Sequence, residues 1–267
     1  MAHTNISIVG VGSMGGAIAL ACAKSADFSV TAINRTEARL HDLKKLTNSI
    51  SVSTDYTSLQ SADVVFLAVK PQSFEETSLL IKDAINKQAL IISVMAGVSI
   101  QTISRSLGVS RVVRAMPNLG ALHGESMTVW YGSGLTEHDK DFAHACFRLL
   151  GKELQVFDED YVDKATAISA SGAGFFAYII EAYIREVESM GFTHNDATML
   201  TLQTLHATNS VLHVGDTNPE EFRKKVTSKK GTTEAGLKIL MKGTLSRVIR
   251  KTLLRAYKRA RELSRGK

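Results

Sequence analysis

Cysteine is scarce in this chain. Among 267 residues there are two, Cys22 and Cys146, each inside a helix-like run. Two are too few for a disulfide framework, and both suit a core-filling role better than a bridge or a metal site. No other cluster of Cys and His has ligand spacing, so no metal is expected. Long apolar stretches are missing too, and none approaches the roughly 20 residues of a membrane span. Met1-Ala-His-Thr-Asn5 runs almost directly into a strand pattern, leaving no room for a signal peptide. The expectation is a cytoplasmic protein without a membrane segment.

Acidic residues are thin at one end. Residues 243–267 carry nine cations (Arg247, Arg250, Lys251, Arg255, Lys258, Arg259, Arg261, Arg265, Lys267) against Glu262 alone, a net of +8 in a chain whose total is +6. Outside the tail the balance is therefore slightly acidic, which argues against a general nucleic-acid surface. Leu245, Val248, Ile249, Leu253, Leu254 and Tyr257 recur there at helical spacing, predicting an amphipathic helix with a solvated basic face. Binding of nucleic acid or an anionic surface by that face is the lesser alternative.

What is present begins with Ile6-Ser-Ile-Val-Gly10-Val-Gly12-Ser13-Met14-Gly15, a β-branched run entering Gly-x-Gly-x-x-Gly, followed by a small-residue helical stretch from Ala17 to Ala23. In a dinucleotide-binding turn Gly10 allows the tight strand-to-helix turn. Gly12 lets backbone N–H groups approach a pyrophosphate, and Gly15 lets the helix pack close to the strand. The pyrophosphate then sits at the positive end of a helix. The second strand, Phe28–Ile33, ends in Asn34-Arg35-Thr36. An NAD-specific site places a carboxylate there for the ribose 2′-hydroxyl. Here that carboxylate is absent, and a guanidinium and a hydroxyl stand ready for a 2′-phosphate. The expected cofactor is NADPH, with NADH weaker.

Strand-like runs continue at Ile50–Ser53, Asp63–Val69, Ala89–Val94, Arg111–Ala115 and Ser126–Tyr131, alternating with helix-like ones to about residue 156. This predicts βα units on a doubly wound, mostly parallel sheet, with ligands beyond the carboxyl ends of its strands. Two strand ends, Ala68-Val69-Lys70-Pro71 and Ala96-Gly97, are expected to border the nicotinamide. Lys70 is as readily structural or phosphate-facing as catalytic. From Asp158 the strand signals stop, and long amphipathic runs over 160–190, 194–214 and 244–264 predict an all-α second domain. The organisation read is 1–157 for the dinucleotide domain and 158–267 for a helical one. The apolar face of its last helix points to a dimer.

Two helical-half segments look unlike scaffold. Ser169-Ala170-Ser171-Gly172-Ala173-Gly174-Phe175 places tiny residues inside a long helix, for tight helix packing or for ligand contact. Val226–Leu237 gathers hydroxyls and amides ahead of a helix, suited to a small anion such as a carboxylate. The plainer alternative is a helix start capped by Thr232 or Thr233.

Taken in order these segments resemble the pyrroline-5-carboxylate reductase family. The resemblance runs through Val9–Gly15, Asn34-Arg35-Thr36, Phe66–Pro71, Ser93–Ile100 and Arg114-Ala-Met-Pro-Asn118. It continues in Gly124–Thr128, Thr166–Ser169, Val226-Thr-Ser228 and Gly231-Thr232-Thr233. It implies an N-terminal Rossmann domain, a helical dimerisation domain and an NADPH-dependent reduction of a cyclic imine carboxylate to proline. Asn118 joins Ser13 and Met14 as implied cofactor contacts. Substrate is implied between the Gly-Thr-Thr loop and the nicotinamide, with the amides around Ser228, Gly231 and Thr232 on its carboxylate and Ser171 nearby. The Thr233 hydroxyl would face the ring nitrogen. A protonated imine is already a good hydride acceptor, so positioning carries much of the rate.

The chain departs from the family's Ser-Gly-Ser-Gly-Pro-Ala-Tyr at Ala170 and Ala173, and from its Ser-Pro-Gly-Gly at Lys229 and Lys230. A paralogue acting on another cyclic imine is thus an alternative. The β-hydroxyacid dehydrogenase pattern, laid on Gly172 and Gly174, puts Tyr178 where its lysine belongs and Ala182 where its asparagine belongs. A non-catalytic NADPH-binding protein that uses the basic tail is the reading from another class.

Overall fold

The computed structural model describes residues 3–214 and 218–264. Met1, Ala2, Arg265 and Lys267, which entered the reading of the two ends, lie outside those residues. By packing, the chain divides into two compact units, 1–171 with 256–267, and 172–255.

The first unit is built on eight strands: β1 (Thr4–Val9), β2 (Phe28–Ile33), β3 (Ile50–Ser53), β4 (Val64–Leu67), β5 (Leu90–Ser93), β6 (Val112–Met116), β7 (Ser126–Ser133) and β8 (Gly151–Gln155). Their order across the sheet is β3-β2-β1-β4-β5-β6-β7-β8, and every pairing is parallel except β6 with β7. Strands buried on both faces explain the near-continuous apolar runs of β4 and β5. Alternation then divides the side chains. Ile6, Ile8, Phe66 and Ile92 enter one core, and Val9, Val65, Leu67 and Ile91 the other. The order reverses at β1, which pairs with β2 on one side and β4 on the other. That is the switch point where a crevice opens beyond the strand ends.

Helices α1 (Ser13–Cys22), α2 (Glu37–Leu46), α3 (Phe74–Ile81), α4 (Ile100–Leu107) and α5 (Glu137–Leu150) connect the strands. The strongest cap opens α5, where Thr136 accepts from the Asp139 N–H and the Asp139 carboxylate takes the Thr136 N–H. Cys22 on α1 faces Cys146 on α5 with the sulfurs 3.6 Å apart, both free and buried. The hydrogen bond with Cys22, and then burial, push the Cys146 thiol well up, as befits an inert core pair.

After β8 come α6 (Asp160–Ala165), one wide turn over Thr166–Ala170, and α7 (Gly172–Ser189). These merge into one helix of 30 residues, Asp160–Ser189, long and apolar enough by length and composition to cross a membrane. The expectation that no run approaches such a span is corrected here. The stretch from Ala165 to Ile180 carries no charged residue, but its small residues and hydroxyls keep it from reading as a continuous apolar run.

The second unit holds α7, α8 (His194–Val214), α9 (Pro219–Lys225), α10 (Thr232–Leu240) and most of α11 (Thr244–Ser264). Little of it is covered within one chain. Phe176, Tyr183, Leu202, Val248 and Leu254 are each about half exposed or more. So many exposed apolar side chains call for a partner.

The last turns of α11 belong to the first unit. There Tyr257 donates to the Asp160 carboxylate at 2.6 Å, and Ser264 donates to Asp163 at 2.8 Å. Burial raises the Asp160 carboxyl, but the Tyr257 hydroxyl and Lys164 outweigh it and hold the group below its ordinary value.

Candidate active site

The turn after β1 is made by backbone crowding. Gly10 has φ +99°, and a Cβ on it would meet the Ala68 carbonyl carbon at 2.8 Å and the Val69 nitrogen at 2.9 Å. A Cβ on Gly15 would fall on the Gly10 carbonyl oxygen, so α1 rests directly on the turn. Gly12 differs, since a Cβ there would meet nothing within 4 Å. It caps α1 without any side-chain bond to the first-turn N–H groups. The helix therefore presents unpaired amides above open space, which is what a pyrophosphate requires.

A cavity of about 340 Å³ opens beside this turn. It takes in Gly10, Gly12, Asn34, Arg35, Thr36, Ala68, Val69 and Lys70 of the sequence-derived set. Ser13, Met14, Gly15, Pro71, Ala96, Gly97 and Asn118 do not line it. Asn34 is consumed by the scaffold: its side-chain oxygen accepts from the Val11 N–H at 3.1 Å, and its amide donates to Thr36 at 3.0 Å. It ties the glycine turn to the end of β2, leaving Arg35 and Thr36 to meet a ligand.

Six lining residues escaped the sequence reading: Arg39, Tyr56, Ser73, Glu76, Thr77 and Leu80. Arg39, from the first turn of α2, is a second cation, four residues after Arg35. Tyr56 follows β3, and Glu76 lies in the first turn of α3. Spacing could have suggested Arg39; nothing local could have suggested Glu76.

Gly97, with φ +72°, has a nearer neighbour than any cofactor. A Cβ there would run into Leu263 at 2.7 Å, so the loop after β5 is shaped by the end of α11. The same region holds a buried charge that sequence reading quoted only within a motif. Arg114 on β6 is 1% exposed and pairs with Asp163 and, at 3.1 Å, with Glu159. Glu159 also accepts from the Ile100 N–H at 2.9 Å. An arginine amid Val112, Val113 and Ala115 was the available signal, because such a charge must find partners.

Asn118 has local duties: its side-chain oxygen accepts from the Gly120 N–H at 3.0 Å, and its amide reaches the Ser169 carbonyl at 3.5 Å. Ser169 falls in the wide turn, closed where the Ser171 N–H reaches Thr166 O at 2.8 Å. Such one-turn expansions of a helix are frequent at functional sites. Gly172 and Gly174 have open space where a Cβ would go, so packing within the chain does not account for them.

In the second unit, Ser228–Gly231 forms a turn closed by Gly231 N–H to Ser228 O at 3.0 Å. Lys230 has φ +61°, a positive value shared with no other non-glycine among the described residues. The left-handed backbone that a glycine adopts freely is thus kept with a lysine in place, at a cost of about 1 kcal/mol or more. The Lys230 N–H is held by the Glu234 carboxylate at 2.8 Å. Gly231, not Thr232 or Thr233, is the cap of α10; both threonines occupy its exposed first turn. The capping alternative is corrected, and both hydroxyls are left outside the cap.

The region 159–263 matches the family model for pyrroline-5-carboxylate reductase dimerisation, and 5–97 that for NADP oxidoreductase, coenzyme F420-dependent. The chain is similar to a solved pyrroline-5-carboxylate reductase from Coxiella burnetii, with a TM-score of 0.90 and 30% identity over 98% of this chain and 99% of that one. A Plasmodium falciparum pyrroline carboxylate reductase, solved with NADP bound, shares the fold at a TM-score of 0.85 and 21% identity, covering 99% of each chain. The pyrroline-5-carboxylate reductase of Staphylococcus haemolyticus is 31% identical over 248 residues, 91% of this chain and 90% of its own. With a dinucleotide turn at one end and the dimerisation match at the other, both inside that span, the chain belongs to the pyrroline-5-carboxylate reductase family.

Proposed function

We infer that this protein reduces 1-pyrroline-5-carboxylate to proline with NADPH. The match to pyrroline-5-carboxylate reductases over nearly the whole chain carries the reading to this substrate, and the 228–233 turn supports it, with Lys230 in left-handed backbone where the family pattern has glycine. The residues fit the cofactor: open space over Gly12, uncapped amides on α1, and Arg35, Thr36 and Arg39 around one cavity. Gly10, Gly12, Ser13, Met14 and Gly15 would hold the pyrophosphate. Arg35 and Thr36, set in place by Asn34, would hold the 2′-phosphate. Ala68, Val69, Lys70 and Pro71 would border the rest, with Ala96, Gly97 and Asn118 toward the nicotinamide. When bound, NADPH supplies the hydride.

The chain's own contribution is orientation. The amides of Ser228 and Thr232 would bind the carboxylate, aided by Lys229 and Lys230, while Gly231, whose own N–H closes the turn, shapes the loop that holds it; Ser171 is proposed as a further substrate contact. The Thr233 hydroxyl meets the ring nitrogen, donating to the imine or accepting from the product amine. The protein works as a homo-oligomer, and we propose a dimer as its unit, a cytoplasmic location, and a functional division at 157/158. The start of the dimerisation match at residue 159 supports that division.

The test is loss of nicotinamide absorbance with pyrroline-5-carboxylate, beside piperideine-carboxylate and an NADH control. Turnover of the five-membered imine with NADPH preferred is expected. Thr233→Ala should lower kcat by at least about 100-fold, as for loss of a donor aimed at the reacting centre. NADPH binding should be intact and Thr233→Ser should recover part of the rate. Unchanged turnover in Thr233→Ala would refute its role, and turnover of the six-membered imine alone would give the chain another substrate. Arg35→Ala should raise the KM for NADPH by about 10- to 100-fold, the worth of a hydrogen bond between charged groups. The KM for NADH should rise far less.

A further inference from the structure

We propose that Glu76 sets how strongly this enzyme prefers a 2′-phosphorylated cofactor, by competing with that phosphate for Arg35. The inference rests on the cofactor reading above. Glu76 comes from the first turn of α3 and Arg35 from the end of β2, and both line the same cavity. One guanidinium nitrogen of Arg35 donates to the two Glu76 carboxylate oxygens, at 3.2 and 3.5 Å. The side chains are 75% and 65% exposed, so the pair is easily broken and contributes little to the fold. It is a latch on a binding group rather than a strut.

A phosphate is drawn to the planar fork of Arg35 for the same reason as the carboxylate. Two anions on one guanidinium edge repel, so a 2′-phosphate must turn Glu76 away before it takes the full benefit of Arg35. A cofactor with a free 2′-hydroxyl brings no competing charge and leaves the pair intact. The carboxylate that dinucleotide folds place at the end of β2 is thus supplied here from another element. There it tempers the preference for NADPH without abolishing it.

The test is the Kd for NADPH and for NADH by fluorescence titration, beside steady-state kinetics with both cofactors, on the parent, Glu76→Gln, Arg35→Ala and the double variant, with the Kd ratio expected to move as the kinetic ratio does. Glutamine keeps the size and the helix and removes only the charge. The ratio of kcat/KM for NADPH over NADH should rise about 3- to 5-fold in Glu76→Gln, the upper range for an exposed ion pair. The rise should come from a lower KM for NADPH. In the Arg35→Ala background the same substitution should move the ratio by less than about twofold, because coupled residues lose their joint term once one is gone. A ratio unchanged or lowered in Glu76→Gln would overturn the proposal, as would an equal gain without Arg35. Failure of the cofactor reading looks different: a parent that favours NADH, with Arg35→Ala costing both cofactors alike, would overturn both together.

Discussion

Gly15→Ala is expected to cost both stability and cofactor binding, whereas Gly12→Ala should cost binding alone. A methyl on Gly15 would occupy the position of the Gly10 carbonyl oxygen and lie 3.1 Å from the Ala68 Cβ. Backbone cannot rotate aside as a side chain would, so α1 or the turn must move. Overpacking of this kind costs about 1–3 kcal/mol, and a shift of about 1 Å in a positioning element costs on the order of 100-fold in rate. A methyl on Gly12 meets no protein atom within 4 Å and enters only the space kept for a ligand. Thermal unfolding and NADPH titration on the two variants separate the roles. Equal stability of Gly15→Ala and the parent would show that the turn yields more easily than its contacts indicate.

Replacing Arg114 should be as destabilising as emptying a core aromatic position of the first unit. Its guanidinium is 1% exposed and lies between Asp163 and Glu159, whose side chains are 9% and 28% exposed. Ser264, 150 residues away, shares Asp163 with it. Arg114→Met restores much of the volume yet leaves two carboxylates facing each other without a counter-charge. Breaking a buried pair in this way costs about 3–5 kcal/mol. At roughly 2–4 °C per kcal/mol for a chain of this size, the unfolding midpoint should drop by about 10 °C. Adding Asp163→Asn to Arg114→Met should recover part of the loss, because it removes the stranded charge rather than the contact. A midpoint within about 2 °C of the parent for Arg114→Met would show that the network adds nothing net, as some buried ion pairs do not.

Local chemistry made much of this molecule legible. The strands over 28–33 and 50–53 follow from apolar, β-branched runs, and Gly10 and Gly15 from a spacing that only a crowded strand-to-helix turn requires. The long helices follow from an apolar period, and the apolar face of α11 from the same period. Asn34, Arg35 and Thr36 were visible as a site without a carboxylate, and Lys229 and Lys230 as departures from a pattern.

Only the fold decided what those residues touch. Asn34 turned inward to bind Val11 and Thr36, a choice made by the distance between β2 and the glycine turn. Gly97 answers to Leu263, Arg114 to residues 45 to 150 positions away, and Arg35 to Glu76, 41 positions on. Hydrophobic period and turn chemistry act within a few residues, so a chain carries them openly. Charge pairing and close packing depend on which strand ends and helix ends the sheet order brings side by side, and that order emerges only when the whole chain has closed on its core.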